Sequence, residues 1–366
     1  MKIKSLLLGS AAVMVAVSGA RAADVIVVEP EPVEYVRVCD AYGAGWFYIP
    51  GTETCLKFDG DVRIDYRSDQ IHWDGAEDGH SARYRGRLNV RANNETQYGT
   101  LGSRIRFNGG GPFGGGGSVP TSDPFTANTG AIPADVYLDW AVISLAGFKV
   151  GYADDYFTTA GGYGHYMARH DGFYNYGQAL FLDYTWAANG VSATVGIQSR
   201  AVSFAPQGNS GTPGAPDIYG GLTYSGGGWY LAGIVVWDNS REDVAYKLRA
   251  DYDLSSIAPG LSIGGWWMSD DGDTDYVKGH AYGVTARMNL TDNLIAFGGY
   301  SQYADQDGLG AELSSDHWVA GVRWNVVSGL YIQGEYTGVV NYNEGGAGVG
   351  AGQNRGRFNL RIVRDF

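Results

Sequence analysis

Arginine recurs at alternate positions in three stretches of the chain. Arg83, Arg85, Arg87 and Arg91 share one parity, separated by Tyr84, Gly86, Leu88 and Val90 on the other. Arg63 and Arg67 repeat the arrangement upstream, Arg104 and Arg106 downstream, and Arg355, Arg357 and Arg361 near the end of the chain. So many guanidinium groups on one face cannot sit in a dry core, so that face must meet water. What such a wall can do is set an electric field, and an acidic partner should oppose it. Residues 153–178 are the candidate, with Asp154, Asp155 and Asp171 beside His165, Arg169 and His170. The same segment holds Tyr156, Phe157, Tyr163, Tyr166, Phe173, Tyr174 and Tyr176. A loop meant for open solvent would not need that many rings, so this one is expected to fold inward and form the acidic side of a constriction. The bland alternative is a set of solvated charges balanced by Asp59, Asp61 and Asp65.

Other chemistry finds weaker support. The run NGGGPFGGGGS at 108–118 lacks the Gly-Lys-Ser/Thr ending that grips phosphate and magnesium, and no helical pattern follows it, so it reads as an external loop. The six histidines are scattered, and the nearest pair, His165 and His170, does not have metal-ligand spacing on a regular element, so neither a metal nor a cofactor is expected. An enzyme would need an activated nucleophile or water. Asp316-His317 is the best such pair, and a solvated loop-to-strand junction explains it equally well. Cys39 and Cys55 could form one disulfide in an oxidising compartment, closing a loop of roughly 15 residues worth about 3 kcal/mol in the chain-entropy model. A pair of free thiols is the alternative.

The elements that position these residues are strands. Leu56, Phe58, Val62, Ile64 and Tyr66 fall on one face of a stretch whose other face carries Lys57, Asp59, Asp61, Arg63, Asp65 and Arg67. Separation this clean puts one face in an apolar medium and one in water. Segments of about ten residues, tilted near 40°, span the ~25 Å apolar band of an outer membrane. Similar strands are expected within 82–92 and 100–107, then near 135–144, 147–152, 179–187, 191–200, 217–225, 229–238, 243–253, 261–269, 280–290, 293–302, 316–325, 329–338 and 355–366. That makes about sixteen antiparallel strands. Residues 229–237 and 261–268 are apolar on both faces, which suits a subunit contact or a position beneath an inward loop. Tight turns at 187–190, 226–228, 291–292 and 326–329 alternate with long glycine-rich connections such as 108–134 and 201–216, the rhythm of bacterial outer-membrane barrels. If the sheet closes, the last strand pairs with the first and the arginines of both join one basic wall. Phe366 would then sit in an aromatic girdle.

Composition agrees. With 57 Gly, 26 Tyr and 10 Trp among 366 residues, the chain suits a sheet protein with many turns. No later stretch carries some 18 consecutive apolar residues, so helical spans are not expected. A net charge of −13 argues against nucleic-acid binding, which wants a basic footprint. Lys2 and Lys4, an apolar run over 6–17 and Ala20-Arg21-Ala22 read as a cleavable signal peptide over 1–22. A pre-barrel segment over 23–54 and a barrel over 55–366 would follow.

The stretch CDAYGAGWFYIPGTETCLK at 39–57 resembles the opening signature of the alphaproteobacterial porins, preceded as in that family by an acidic Val/Pro/Glu stretch. The order of segments and the terminal Phe366 fit as well. The resemblance implies a sixteen-stranded, homotrimeric general diffusion porin of the Gram-negative outer membrane, set among lipid and lipopolysaccharide. It also implies that the third external loop, corresponding to 153–178, folds into the pore. Small hydrophilic solutes and ions would pass passively. A sugar-selective channel using the tyrosines as a stacking track, a soluble all-β binding protein and a barrel enzyme are the rival readings.

Overall fold

In a computed structural model the described residues are 37–68, 71–72, 80–112, 136–161, 177–200, 215–306, 312–340 and 355–366. They form sixteen long antiparallel strands: β1 Cys55–Ser68, β2 His80–Thr96, β3 Gly99–Pro112, β4 Val136–Leu145, β5 Phe148–Asp154, β6 Gln178–Ala188, β7 Val191–Ser199 and β8 Asp217–Gly226. β9 Trp229–Asp238, β10 Asp243–Asp253, β11 Ser262–Asp273, β12 Lys278–Asn289, β13 Leu294–Gln306, β14 Glu312–Val327, β15 Leu330–Val340 and β16 Arg355–Asp365 complete the set. Each strand pairs with its sequence neighbour, and β16 pairs with β1 from Asn359 opposite Arg67 to Asp365 opposite Asp61. Phe366 adds a backbone pair of its own, donating to the Gly60 carbonyl at 3.0 Å and accepting from the Gly60 amide at 2.9 Å. The sheet is therefore a closed barrel, and closure removes the two unpaired edges an open sheet would leave.

The strands fall where alternation predicts them, with ends differing by a few residues. Outward positions hold large apolar side chains left open: Val62, Ile64, Leu182, Val195 and Val284 are 47–60% exposed. In water such a belt would be an aggregation surface, whereas in lipid it is the expected coat. Tight turns join the strands at one end. At Asn189-Gly190 both residues take positive φ (52° and 80°), the backbone of a type I′ hairpin turn.

Two expectations need correction. The glycine-rich stretch from Asn108 has the composition of a loop, but β3 continues through Asn108, Gly109, Gly110 and Gly111 to Pro112, paired with Arg87 back to Arg83 on β2. A Cβ on Gly110 would lie 2.2 Å from the Tyr84 carbonyl oxygen, so here glycine is what lets the ladder continue. Likewise Ala153, Asp154 and Gln178, assigned to the inward loop, are strand residues of β5 and β6. The rest of the glycine-rich segment, 113–134, and residues 162–176 lie outside the described residues.

Cys39 and Cys55 are joined in a disulfide. Without reduction, both sulfurs of freshly extracted protein should resist alkylation, and mass spectrometry should find one cross-link; two freely labelled thiols would contradict it. Unheated protein should run on detergent gels as a compact band that shifts on boiling, with a circular dichroism spectrum dominated by β structure. A helical spectrum would overturn the fold.

Candidate functional site

Register brings the arginines together. Across β1 and β2, Asp65 faces Arg83, Arg63 faces Arg85, Asp61 faces Arg87 and Lys57 faces Arg91. Across β2 and β3, Arg91 faces Arg104, and Asn89 faces Arg106. Closure places Arg361 beside Asp65 and Asn359 beside Arg67, while Arg357 stands opposite Thr337 on β15. Arg355 holds its ladder place opposite Val339, and its side chain lies outside the described residues. All of these positions are on the face away from the apolar belt.

The wall is partly neutralised from within. Asp65 holds Arg361 at 2.6 Å, Arg83 at 2.9 Å and Arg63 at 3.2 Å. Asp61 takes Arg85 at 2.7 Å, and Asp59 takes Arg91 at 2.7 Å. The described inner positions of β1, β2, β3 and β16 nevertheless carry ten arginines and Lys57 against Asp59, Asp61, Asp65, Glu95 and Asp365. Eleven minus five leaves six positive charges on this quadrant. On these described inner positions basic side chains outnumber the carboxylates that pair with them.

The wall ends at a feature that alternation hides. Arg106 pairs with Trp140 but Phe107 pairs with Leu138, so β4 bulges by one residue at Asp139. A bulge breaks the period of two, and here it sends both Asp139 and Trp140 inward. The guanidinium groups of Arg106 and Arg104 lie 3.3 and 4.4 Å from the Trp140 ring centroid. Trp140 Nε1 donates to Asp154 Oδ1 at 3.0 Å, and Gln178 Nε2 donates to Asp139 Oδ1 at 2.7 Å and to Asp154 Oδ1 at 3.3 Å. Arg106 reaches Asp139 at 3.5 Å. Asp154 therefore stands where the basic wall gives way to a carboxylate network. Asp139 was missed because its strand departs from strict alternation.

Asp155 has a different role from the one expected. Its carboxylate is buried, caps the short helix α1 (Tyr156–Thr159) by accepting from the Thr158 amide at 2.7 Å, and pairs with Arg200 at 3.2 Å. Burial pushes this carboxyl above its ordinary range, with Arg200 and the Thr158 amide pulling the other way. It holds the segment in place and has no free face to offer a passing ion. His165, Arg169, His170 and Asp171 lie outside the described residues.

The start of the segment rests on β9–β11 and on a turn near Tyr276. Phe157 is fully buried among Ala232, Ile234, Val236, Ala245, Trp266, Met268 and Tyr276. Lys247 Nζ donates to the Phe157 carbonyl at 3.1 Å, and Arg249 donates to the Gly161 carbonyl at 2.7 Å. Gln198 accepts from the Tyr156 amide at 3.0 Å and donates to the Tyr276 hydroxyl at 2.7 Å, and that hydroxyl in turn donates to Asp217. The strands expected to be apolar on both faces are thus those covered by Phe157 and Tyr276. Polar anchors such as Lys247, Gln198 and Asp217 were also missed, because buried polar residues in strands look like any lumen-facing position in sequence. Asp316 and His317 do not form a dyad: adjacent strand positions face opposite sides, and Asp316 accepts from Tyr300 at 2.7 Å and Gln302 at 3.1 Å on the outer face.

Comparison with known proteins agrees with this architecture. Porin Omp2a of Brucella ovis is 41% identical over 273 residues, covering 70% of this chain and 76% of its own. Among solved structures, the outer-membrane channel DcaP of Acinetobacter baumannii superposes with a TM-score of 0.62 at 14% identity, over 87% of this chain and 99% of its own. A mutant of Rh. blastica porin gives 0.56 at 16% identity, over 85% and 100%. Both structural matches speak for the fold alone. The family model described as the porin subfamily matches residues 24–354, and on that match the chain belongs to the porin subfamily.

Proposed function

We propose that this outer-membrane porin is a general diffusion channel, in which residues 153–178 narrow the lumen and the arginine wall faces them across it. The observation that carries this reading is the closed sixteen-stranded ladder whose described inner positions on β1, β2, β3 and β16 carry six more basic than acidic side chains, an arrangement that calls for a water-filled lumen. The anchoring of α1 by Lys247, Arg249 and Gln198 supports an inward course for the segment. Signal-peptide removal after Ala22, assembly as a homotrimer and lipopolysaccharide as an outer-leaflet neighbour belong to the same proposal. So does a barrel domain distinct from a leader over 1–22. Transport is passive: fixed charges set the field and loop bulk sets the size limit.

Single-channel recording tests the assignment of charges. A unit charge about 8 Å from a passing ion contributes roughly 0.5 kcal/mol in water-like dielectric, and physiological salt screens over a similar length. Each exposed charge should therefore tilt permeability by about twofold and switch nothing. Arg85→Ser with Arg87→Ser should move the reversal potential in a salt gradient toward cations, and Asp154→Asn should move it modestly toward anions. Asp155→Asn should act chiefly on the stability of the segment. If the double arginine variant conducts with an unshifted reversal potential, those residues do not line the path.

Lys247 gives an independent test of the anchoring. Replacing it with Met removes the donor to the Phe157 carbonyl while keeping most of the stem, and leaving a buried carbonyl without its partner costs about 1–3 kcal/mol. Lys247→Met channels should show noisier open currents and a higher mean conductance. Currents indistinguishable from wild type would mean that α1 does not hold the constriction.

A further inference from the structure

The cysteine-bounded segment Cys39–Cys55 packs against the start of β1 at one end of the barrel. Cys55, Lys57, Arg91, Asn93, Glu95, Arg104 and Ser144 share the inner parity of β1–β4 at the end of the barrel that carries the tight turns. The segment lies over them. Lys57 Nζ donates to the Ala44 carbonyl at 3.0 Å, and the Tyr42 hydroxyl donates to Glu95 Oε1 at 2.8 Å, which also accepts from Thr100 at 2.8 Å. Partial burial and the bond to Glu95 push the Tyr42 phenol up to about 12, so it remains a donor at any physiological pH. Trp46 lines one small cavity with Arg91, Asn93, Gly102, Arg104, Val142 and Ser144.

The segment is also stitched into the wall. Phe47 and Tyr48 pair with Leu56 and Cys55, covering the edge of β1 that β16 leaves by ending at Phe366. Val38 bridges back to Phe47, and the Cys39 amide donates to the Trp46 carbonyl at 3.0 Å. Covering an edge needs only that short ladder. It does not need a tryptophan, 8% exposed and packed with the disulfide and Tyr42, to reach over β2, β3 and β4 on the lumen side. From β1 to β4 is three interstrand steps, roughly 14 Å along the wall. A sixteen-stranded barrel tilted near 40° measures only about 30 Å between opposite backbones. Rings on that arc narrow the mouth beside Arg91 and Arg104, which line the same cavity as Trp46.

We propose that the disulfide-closed segment Cys39–Cys55 is a second constriction at the tight-turn mouth of the channel, with Trp46 a selectivity-determining residue that shields Arg91 and Arg104. The segment acts in series with residues 153–178, and the inference rests on the diffusion-channel reading. Asp40 and Glu53 in the same segment add negative charge at that mouth, in the direction that offsets the arginines.

Planar-bilayer recording on the full-length protein tests this with two variants, each first checked for the heat-shifted band of a folded barrel. Trp46→Ala keeps the disulfide, and Cys39→Ser with Cys55→Ser releases the segment while keeping its rings. Trp46→Ala should raise single-channel conductance by about a third and the anion-to-cation permeability ratio by about twofold, as expected when a charge is brought into the path. The double serine variant should change both in the same direction. If wild type conducts and both folded variants match it in conductance and reversal potential, the segment is a structural edge cover only and the proposal is overturned. If wild type itself does not conduct, the failure lies with the channel reading.

Discussion

Inside a bilayer no water is available to satisfy a backbone amide or carbonyl, and a sheet can meet that demand only by closing on itself. The ladder between β16 and β1 is therefore the interaction on which everything else depends. Once it forms, each strand has one face in lipid and one toward the lumen, and side-chain parity is set along each strand except where a bulge intervenes. Register then decides which charges meet. Asp65 finds Arg361 only because the last strand docks beside the first, bringing together residues 296 positions apart.

The lumen wall is not uniform. One quadrant is wet, crowded with arginine and only partly compensated. The inner sides of β9 and β11 are instead largely apolar, covered by Phe157 and Tyr276, and the inward Lys247 and Arg249 of β10 between them are bonded to the Phe157 and Gly161 carbonyls. Desolvation accounts for the contrast: apolar inner residues gain by being covered, whereas the guanidinium groups would lose far more than they gained if water were removed. The bulge at Asp139 joins the two regimes. It turns an extra carboxylate and the Trp140 ring inward, where arginines stack on one side and Asp154 and Gln178 bond on the other.

Much of this was legible in the residues. Strict alternation located the strands, and the basic wall followed from parity plus the requirement of closure. Where alternation fails, so did the reading. Asp139 and Trp140 lie at a bulge, which no period-two count can place. The glycines after Asn108 looked like a loop because glycine is rare in strands, yet at Gly110 the approach of Tyr84 demands it. Asp155 looked like a pore charge because sequence does not say which of two adjacent carboxylates caps a helix and which joins the lumen-side network of Trp140 and Gln178. The reach of Trp46 over β2–β4 depends on contacts between segments far apart in the chain, which local pattern does not encode.

Whether the lumen is water-filled with net fixed positive charge on one wall is tested most directly by the salt dependence of single-channel conductance. Between about 0.3 and about 1 M potassium chloride, screening lengths are only a few ångströms and conductance should rise in proportion to bulk conductivity. Below about 0.1 M, where screening reaches about 10 Å, conductance should exceed that proportion because the fixed charges retain mobile counterions. A conductance that saturates with rising salt, or the absence of discrete steps from folded protein, would contradict the account.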